Sequence, residues 1–266
     1  MNYMDLVFRV LVDGIEEPNQ RTGLKTRRLL NQTVELKSNQ LFSTRKILPR
    51  IAAAEVAWML SGTRSTEWLS KHTKIWQKFE DRPGFINTAY GYRWVHEFGR
   101  NQIEEAIGLL KKDPSTRQAL VISWNPGTDG LMSQGFDKNV PCPFAFNLYI
   151  VAGKGFISVY QRSADVIIGI PYDLMTYYLL GQAIFNSVGI KFGGVGIMIG
   201  DAHIYENCYQ VANTMIDNIV PHFQHYLDHE WTVAEILEKP DTFVGICSGW
   251  YETVKFPVND RLEAAA

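Results

Sequence analysis

The spacing of hydrophobic positions changes several times along this chain, and each change marks an element. Val7, Val10, Leu11 and Ile15 recur at helical spacing, which predicts an amphipathic helix over residues 3–17. Residues 20–23 then read as a turn. Over 49–60 apolar residues crowd almost all round the helical wheel, which predicts a buried helix. Glu55 lies inside that run. Its commoner reading is a solvated helix face, because a buried carboxylate is costly unless hydrogen-bonded; the alanines and Trp58 around it weaken that reading. Residues 100–112 are helical in pattern and end in Lys111-Lys112-Asp113-Pro114. Residues 119–124 read as a strand, and 144–151 and 156–161 as two strands joined by a turn at 152–155. Asp173 stands where it would open a long apolar helix running to Val188. The loop 125–141, rich in Gly, Asp and Ser, is too long for a simple connection and is expected to be mobile. No repeat, low-complexity tract or Pro/Ser-rich linker divides the chain, so one α+β domain over residues 1–260 is expected, with 261–266 an appended tail.

Composition narrows the function classes. At 266 residues, with 46% hydrophobic and 20% charged positions, the chain has the make-up of an ordinary soluble globular protein. Its net charge of -2 argues against broad nucleic-acid binding, so an anionic ligand has to be met by a local arginine cluster. Cys142, Cys208 and Cys247 are an odd set without CxxC spacing, which indicates neither a disulfide framework nor a zinc site. The six histidines show no paired ligand spacing, and no metal is expected. Residues 1–9 lack the pattern of a signal peptide, and no apolar run is long enough to span a bilayer. A cytoplasmic protein without membrane or nucleic-acid partners is expected.

The candidate chemistry lies in the middle of the chain. Cys142 sits between prolines at a strand entrance. Taken alone, such a cysteine is more often a small buried hydrophobe than a nucleophile. Arg162, on the strand that returns beside it, is placed to favour the reactive thiolate. His203 and Tyr205 alternate on a strand-like segment and are expected to share one face. The Pro-Cys-Pro turn, the run Tyr160-Gln161-Arg162-Ser163-Ala164-Asp165, the segment Gly169-Ile170-Pro171-Tyr172-Asp173, and Gly200-Asp201-Ala202-His203-Ile204-Tyr205 follow one another in a fixed order. In that order they resemble the thymidylate synthase family, and the likeness extends from Arg21 to Val258.

The resemblance implies a mixed β-sheet flanked by helices, a homodimer formed through that sheet, and 5,10-methylenetetrahydrofolate as cosubstrate. It assigns Cys142 as the nucleophile that adds to C6 of a pyrimidine nucleotide. Glu55 organises water for proton transfer, and Tyr90 helps remove the C5 proton. Arg21, Arg117, Arg162 and Ser163 fall at phosphate positions, where guanidinium forks suit phosphate oxygens. Arg117 reaches the partner's site. Gln161, Asp165, Asp173, His203 and Tyr205 bind the nucleotide, the last two at the sugar 3′-hydroxyl. Ile75, Trp76, Asp165, Gly169 and Tyr172 hold the folate; Trp76 and Tyr172 have the ordinary alternative of core aromatics.

Several positions depart from the family pattern. Asp173 replaces the asparagine that reads uracil. A carboxyl group accepts from N4 of cytosine and shares a proton with N3, the opposite of the uracil pattern. The family's cytosine-using branch, the deoxycytidylate hydroxymethylases, has aspartate there, and this chain is most similar to that branch. The plainer alternative is that Asp173 caps the following helix. Gln118 stands in place of a second arginine, Pro143 in place of a histidine, Asn139 in place of an apolar residue and Phe79 in place of a second tryptophan. Gln118 weakens the phosphate clamp; the other three, Phe79 by lacking an indole N–H to tether the recognisable tail Lys255-Phe256-Pro257-Val258, point to a site more open to water, which favours a hydroxymethyl over a methyl product. The expected activity is therefore conversion of dCMP to 5-hydroxymethyl-dCMP. Three alternatives stand beside it: reductive methylation of dCMP or dUMP, a CMP hydroxymethylase of a nucleoside-antibiotic pathway, and an inactive nucleotide-binding or regulatory homologue.

Overall fold

The computed structural model describes residues 1–37, 45–131, 140–218 and 228–251. Residues 132–139 of the loop 125–141, Asn139 among them, the tail 255–258 and residues 261–266 lie outside them. Helix α1 (Tyr3–Asp13) is closed at its start by a capping box between Asn2 and Asp5. It ends four residues short of the sequence expectation, because at Gly14 the chain turns so tightly that a Cβ would sit 2.2 Å from the Val10 carbonyl oxygen. Ile15 therefore lies on strand β1 (Ile15–Pro18), 70% exposed, and not on the helix's buried face. Strand β1 pairs with β2 (Lys25–Lys37), across a turn in which Gly23 takes a positive φ.

Helix α2 (Pro49–Leu60) has the expected bounds and is buried along nearly its whole length. Glu55 goes inside with it at 7% exposure, which overturns the solvated reading. After the short α3 (Tyr90–Tyr92), helix α4 (Gln102–Lys112) is capped by Asn101. Strand β3 (Leu120–Ile122) is shorter than expected. Strands β4 (Pro143–Val151) and β5 (Lys154–Gln161) form a hairpin whose turn is only Ala152–Gly153, both at positive φ; Lys154 and Gly155 already belong to the ladder. After β6 (Ala164–Asp165), helix α5 (Gly169–Val188) begins four residues before Asp173, with Ile168 as its cap residue. Asp173 is in the second turn and caps nothing. Strand β7 (Lys191–Tyr205) and helices α6 (Tyr209–Asp217), α7 (Val233–Glu238) and α8 (Pro240–Ser248) complete the order.

The strands form one sheet in the order β1-β2-β7-β5-β4-β3, with β6 alongside the end of β7. Strand β7 runs parallel to β5 and β6 and antiparallel to β2, so the sheet is mixed and the domain α+β, as expected. One row across the sheet, Phe146, Val159, Ile197 and Val34, faces inward, with at most 1% exposure, within the core that α5, α2 and α1 complete. In the other row Ile122 pairs opposite Ala145, Ala145 opposite Tyr160, and Tyr160 opposite Met198. Ile122 and Met198 remain exposed. No described helix is long and apolar enough to cross a membrane.

Candidate active site

Where β4, the end of β5, β6, the end of β7 and the first turns of α5 meet, they leave a cleft of about 1340 Å³. That exceeds the roughly 300–1,000 Å³ usual for one small molecule. Cys142 stands at its side, between two prolines whose fixed φ holds the entry into β4 extended. The backbone N–H of Arg162 donates to the Cys142 carbonyl at 3.0 Å. The Arg162 guanidinium donates to the carbonyls of Pro141 (3.0 Å) and Val140 (3.1 Å) and lies 3.6 Å from Cys142 Sγ. Burial pushes the thiol's pKa up; Arg162 and Arg21 pull it down, Asp173 pushes it further up, and the net direction is upward. The pull of the two arginines is thus opposed, and outweighed, by burial and Asp173.

Helix α5 places Tyr172, Asp173, Thr176 and Tyr177 along the cleft, because positions three and four apart share a face. Gln161 Nε2 donates to Asp173 Oδ2 at 2.8 Å. Gln161 itself is 2% exposed and stands behind Asp173 instead of lining the cleft. Burial drives the Asp173 carboxyl up to about 6; the Gln161 bond pulls it down and the charge of Asp165 pushes it up. Glu55 accepts from Trp76 Nε1 at 2.8 Å and from Thr176 Oγ1 at 3.1 Å. Burial lifts it to about 7, with those two bonds opposing the rise and Asp173 adding to it. Tyr90 packs edge-on against Trp76 with centroids 5.6 Å apart. Its hydroxyl is met by the backbone N–H of Cys142, and burial holds its pKa well above the usual phenol value.

His203 and Tyr205 do share a face, with rings edge-on at 5.1 Å. Ser163 Oγ is 3.5 Å from His203 Nδ1, and Arg21 Nη2 donates to the Tyr205 hydroxyl at 3.4 Å. Asp165 Oδ1 accepts from the backbone N–H groups of Ile167 and Ile168, both at 2.9 Å. Gly169 lies between the two acids: a Cβ there would be 3.7 Å from Asp173 Oδ2 and 3.8 Å from Asp165 Cβ. Ile75, Trp76, Asp165, Gly169 and Tyr172 all line the cleft. The residues thus brought to one place are Arg21, Glu55, Ile75, Trp76, Tyr90, Cys142, Arg162, Ser163, Asp165, Gly169, Tyr172, Asp173, His203 and Tyr205. Arg117 is not among them. It is exposed, and its carbonyl accepts from Asn147 Nδ2 at 3.4 Å.

A thymidylate synthase family model matches residues 1–230. The chain belongs to the thymidylate synthase family. This family carries out folate-dependent one-carbon transfer to C5 of a pyrimidine nucleotide, typically from methylenetetrahydrofolate. A thymidylate synthase site has to hold two ligands, and the cleft's size and its mixture of aromatic, acidic and guanidinium groups fit both. Among the described residues, no group of three or more His, Cys, Asp or Glu could hold a metal.

The sequence reading missed Arg28, Asp201, Thr176 and Tyr177. Arg28 donates to Asp201 Oδ2 through Nε (3.0 Å) and Nη2 (2.5 Å). Burial pushes Asp201 up, but His203 (3.7 Å away) and Arg28 outweigh it and hold the carboxyl at about 2. Arg28 comes to the site only because β2 pairs it opposite His203, a long-range register with no local signal. Thr176 and Tyr177 could have been found, since they lie one helical turn after Asp173.

Proposed function

We propose that this thymidylate synthase family member transfers a one-carbon unit from 5,10-methylenetetrahydrofolate to C5 of dCMP, and that water completes 5-hydroxymethyl-dCMP. The observation that carries the reading is Asp173, a carboxyl in the cleft wall raised by burial to about 6. Cytosine presents an N3 acceptor beside an N4–H2 donor. A carboxyl that gains a proton near neutrality can accept from N4 and share that proton with N3. The shared proton draws electrons from the ring and assists attack at C6. Uracil presents the reverse pattern and leaves buried groups unpaired, a discrimination that can reach about 10⁴–10⁵.

In this reading Arg21, Arg162 and Ser163 hold the phosphate, and His203 and Tyr205 hold the sugar. The folate lies against Ile75, Trp76, Asp165, Gly169 and Tyr172 and supplies the one-carbon unit when bound. The Cys142 thiolate adds to C6, and the displaced electron pair makes C5 the carbon nucleophile. C5 bonds to the one-carbon unit; water held between Glu55 and the Tyr90 hydroxyl then takes the C5 proton and passes it to Glu55, and the released electron pair expels tetrahydrofolate to leave an exocyclic methylene. Water then adds to the exocyclic carbon, and Cys142 leaves as the C5–C6 double bond re-forms. The protein acts as a homodimer in which Arg117 completes the partner's phosphate site. Two observations support this: Arg117 lies off its own cleft just before β3, and the outer sheet face exposes Leu120, Ile122, Phe144 and Met198, each by 36% or more.

Mass analysis of the nucleotide product with dCMP, dUMP and CMP tests the reading. It predicts dCMP heavier by CH2O, with tetrahydrofolate as the folate product. A methylated nucleotide with dihydrofolate would establish reductive chemistry instead, and preference for CMP would establish a ribonucleotide enzyme. No turnover, with no trapping of a fluorinated pyrimidine nucleotide on Cys142, would establish a binding protein.

A further inference from the structure

Thr176 is 2% exposed on α5, one turn after Asp173, and its Oγ1 is 3.1 Å from Glu55 Oε2. Glu55 Oε1 accepts from Trp76 Nε1 at 2.8 Å. These two partners differ in what they can do. An indole N–H only donates, whereas a threonine hydroxyl donates and accepts. With Glu55 ionised, both oxygens accept. With Glu55 protonated, Oε1 still faces a donor, and a proton on that edge would meet the indole N–H. A proton on Oε2 meets a hydroxyl that can turn and accept it. We propose that Thr176 is the positioning residue of Glu55: it makes Oε2 the proton-bearing oxygen and holds the carboxyl in one orientation in both protonation states.

Around Glu55 two donors oppose groups that favour its protonated form. Trp76 and, edge-on behind it, Tyr90 cover one side. From α5, Tyr172, Asp173 and Tyr177 bear on it, and of these Asp173 carries charge, which favours the protonated form of Glu55. Burial acts in the same direction. The bonds from Trp76 and Thr176 are what favour the ionised form, so losing the hydroxyl has a readable sign. Helix α5 thereby carries, one turn apart, the carboxyl that faces the base and the hydroxyl that sets the second carboxyl's proton.

This inference rests on the proposed role of Glu55 in proton transfer, and its test separates the two. Thr176→Val keeps the side-chain shape and removes the hydroxyl; Thr176→Ser keeps the hydroxyl and removes the methyl. The Glu55 carboxyl carbon is followed by ¹³C NMR titration in the nucleotide-free protein, with Glu55→Gln assigning its signal, and the pH dependence of kcat with dCMP is measured beside it. The midpoint should rise by roughly one pH unit in the valine variant, as expected for one hydrogen bond to the ionised form, and return in the serine variant. The acidic limb of kcat should move with it, while KM for the nucleotide changes little. An unmoved midpoint in Thr176→Val, or one that stays raised in Thr176→Ser, overturns the proposal whatever the substrate proves to be. A moved midpoint with unmoved kcat limb keeps the hydroxyl's control of Glu55 and removes Glu55 from proton transfer.

Discussion

At the floor of the cleft Glu55 has both carboxyl oxygens taken up by Trp76 and Thr176 and Asp173 has one bonded by Gln161, while at its rim Arg21 and Arg162 are exposed guanidiniums tied to a phenol and to backbone carbonyls. Burial moves the floor acids to about 7 and about 6, so both change charge near neutrality. A guanidinium, by contrast, offers a rigid fork of N–H donors. The difference matches two tasks. Recognition of a base edge and movement of a proton need fixed geometry and a tuned pKa. Capture of a phosphate needs charge with spare N–H groups, and that can be completed by a residue from another chain. Cys142 stands between the regions, pulled down by the rim and pushed up by the floor.

The largest expected effect is at that junction. Cys142→Ser should lower turnover by on the order of 10⁴-fold or more, because the hydroxyl is a poor nucleophile at its free pKa. Nucleotide binding, measured by calorimetry, should persist because the rim is intact; substantial residual turnover would contradict covalent catalysis. The proposed sharing of the rim between subunits comes next. Arg117→Ala and Cys142→Ser chains, each nearly inactive alone, should recover roughly a quarter of wild-type activity after subunit exchange, since half the dimers are mixed and one site in two is whole. Exchange without recovery would confine the rim to one chain.

On the floor, Glu55 titrates at about 7 in the folded protein against an ordinary 4.5. A raised carboxyl pKa contributes stability that is fully present below about 4.5 and lost as pH rises through about 7. Glu55→Gln cannot ionise, so its denaturation midpoint relative to wild type should climb between pH 5 and pH 8, by up to roughly 3 kcal/mol of stability. A pH-independent difference would mean that Glu55 is not titrating in this range. The smallest effect is on the thiol. Iodoacetamide should modify Cys142 with a midpoint above the ordinary thiol range, and Arg162→Met should shift that midpoint further up, because the rim's stabilisation of the thiolate is removed. A downward shift would reverse the assigned role of the guanidinium.

How far the sequence disclosed this arrangement depended on whether the signal was local. The buried helix at 49–60 was legible because apolar residues surround it, and its own burial refuted the exposed reading of Glu55. The β4–β5 hairpin was legible from alternation, although Ala152 and Gly153 alone make the turn. The length of α1 was not, because Ile15 fits the helical period while Gly14 is pressed on the Val10 carbonyl. The alternative reading of Asp173 as a helix cap arose because Asp favours that position, yet Gly169 already begins the helix. Most of the anticipated residues line one cleft, and they were legible because they fall in a few ordered motifs. Gln161 lay in one of them, yet its place behind Asp173 depends on packing between β5 and α5 that no motif encodes. Arg28 was invisible because only the β2–β7 register brings it to His203.

The central claim is that the floor reads cytosine through Asp173, and the ratio of kcat/KM for dCMP to that for dUMP, measured on wild type and on Asp173→Asn, tests it most directly. The amide offers O4 a donor and removes the proton that N3 of cytosine needs. Hydrogen bonds at a buried edge are worth roughly 1–3 kcal/mol each, and about 1.4 kcal/mol is a tenfold change. The wild type should favour dCMP, and the ratio should move toward dUMP by at least about tenfold in the variant. An unaltered ratio, with both proteins folded, would mean that Asp173 does not read the base.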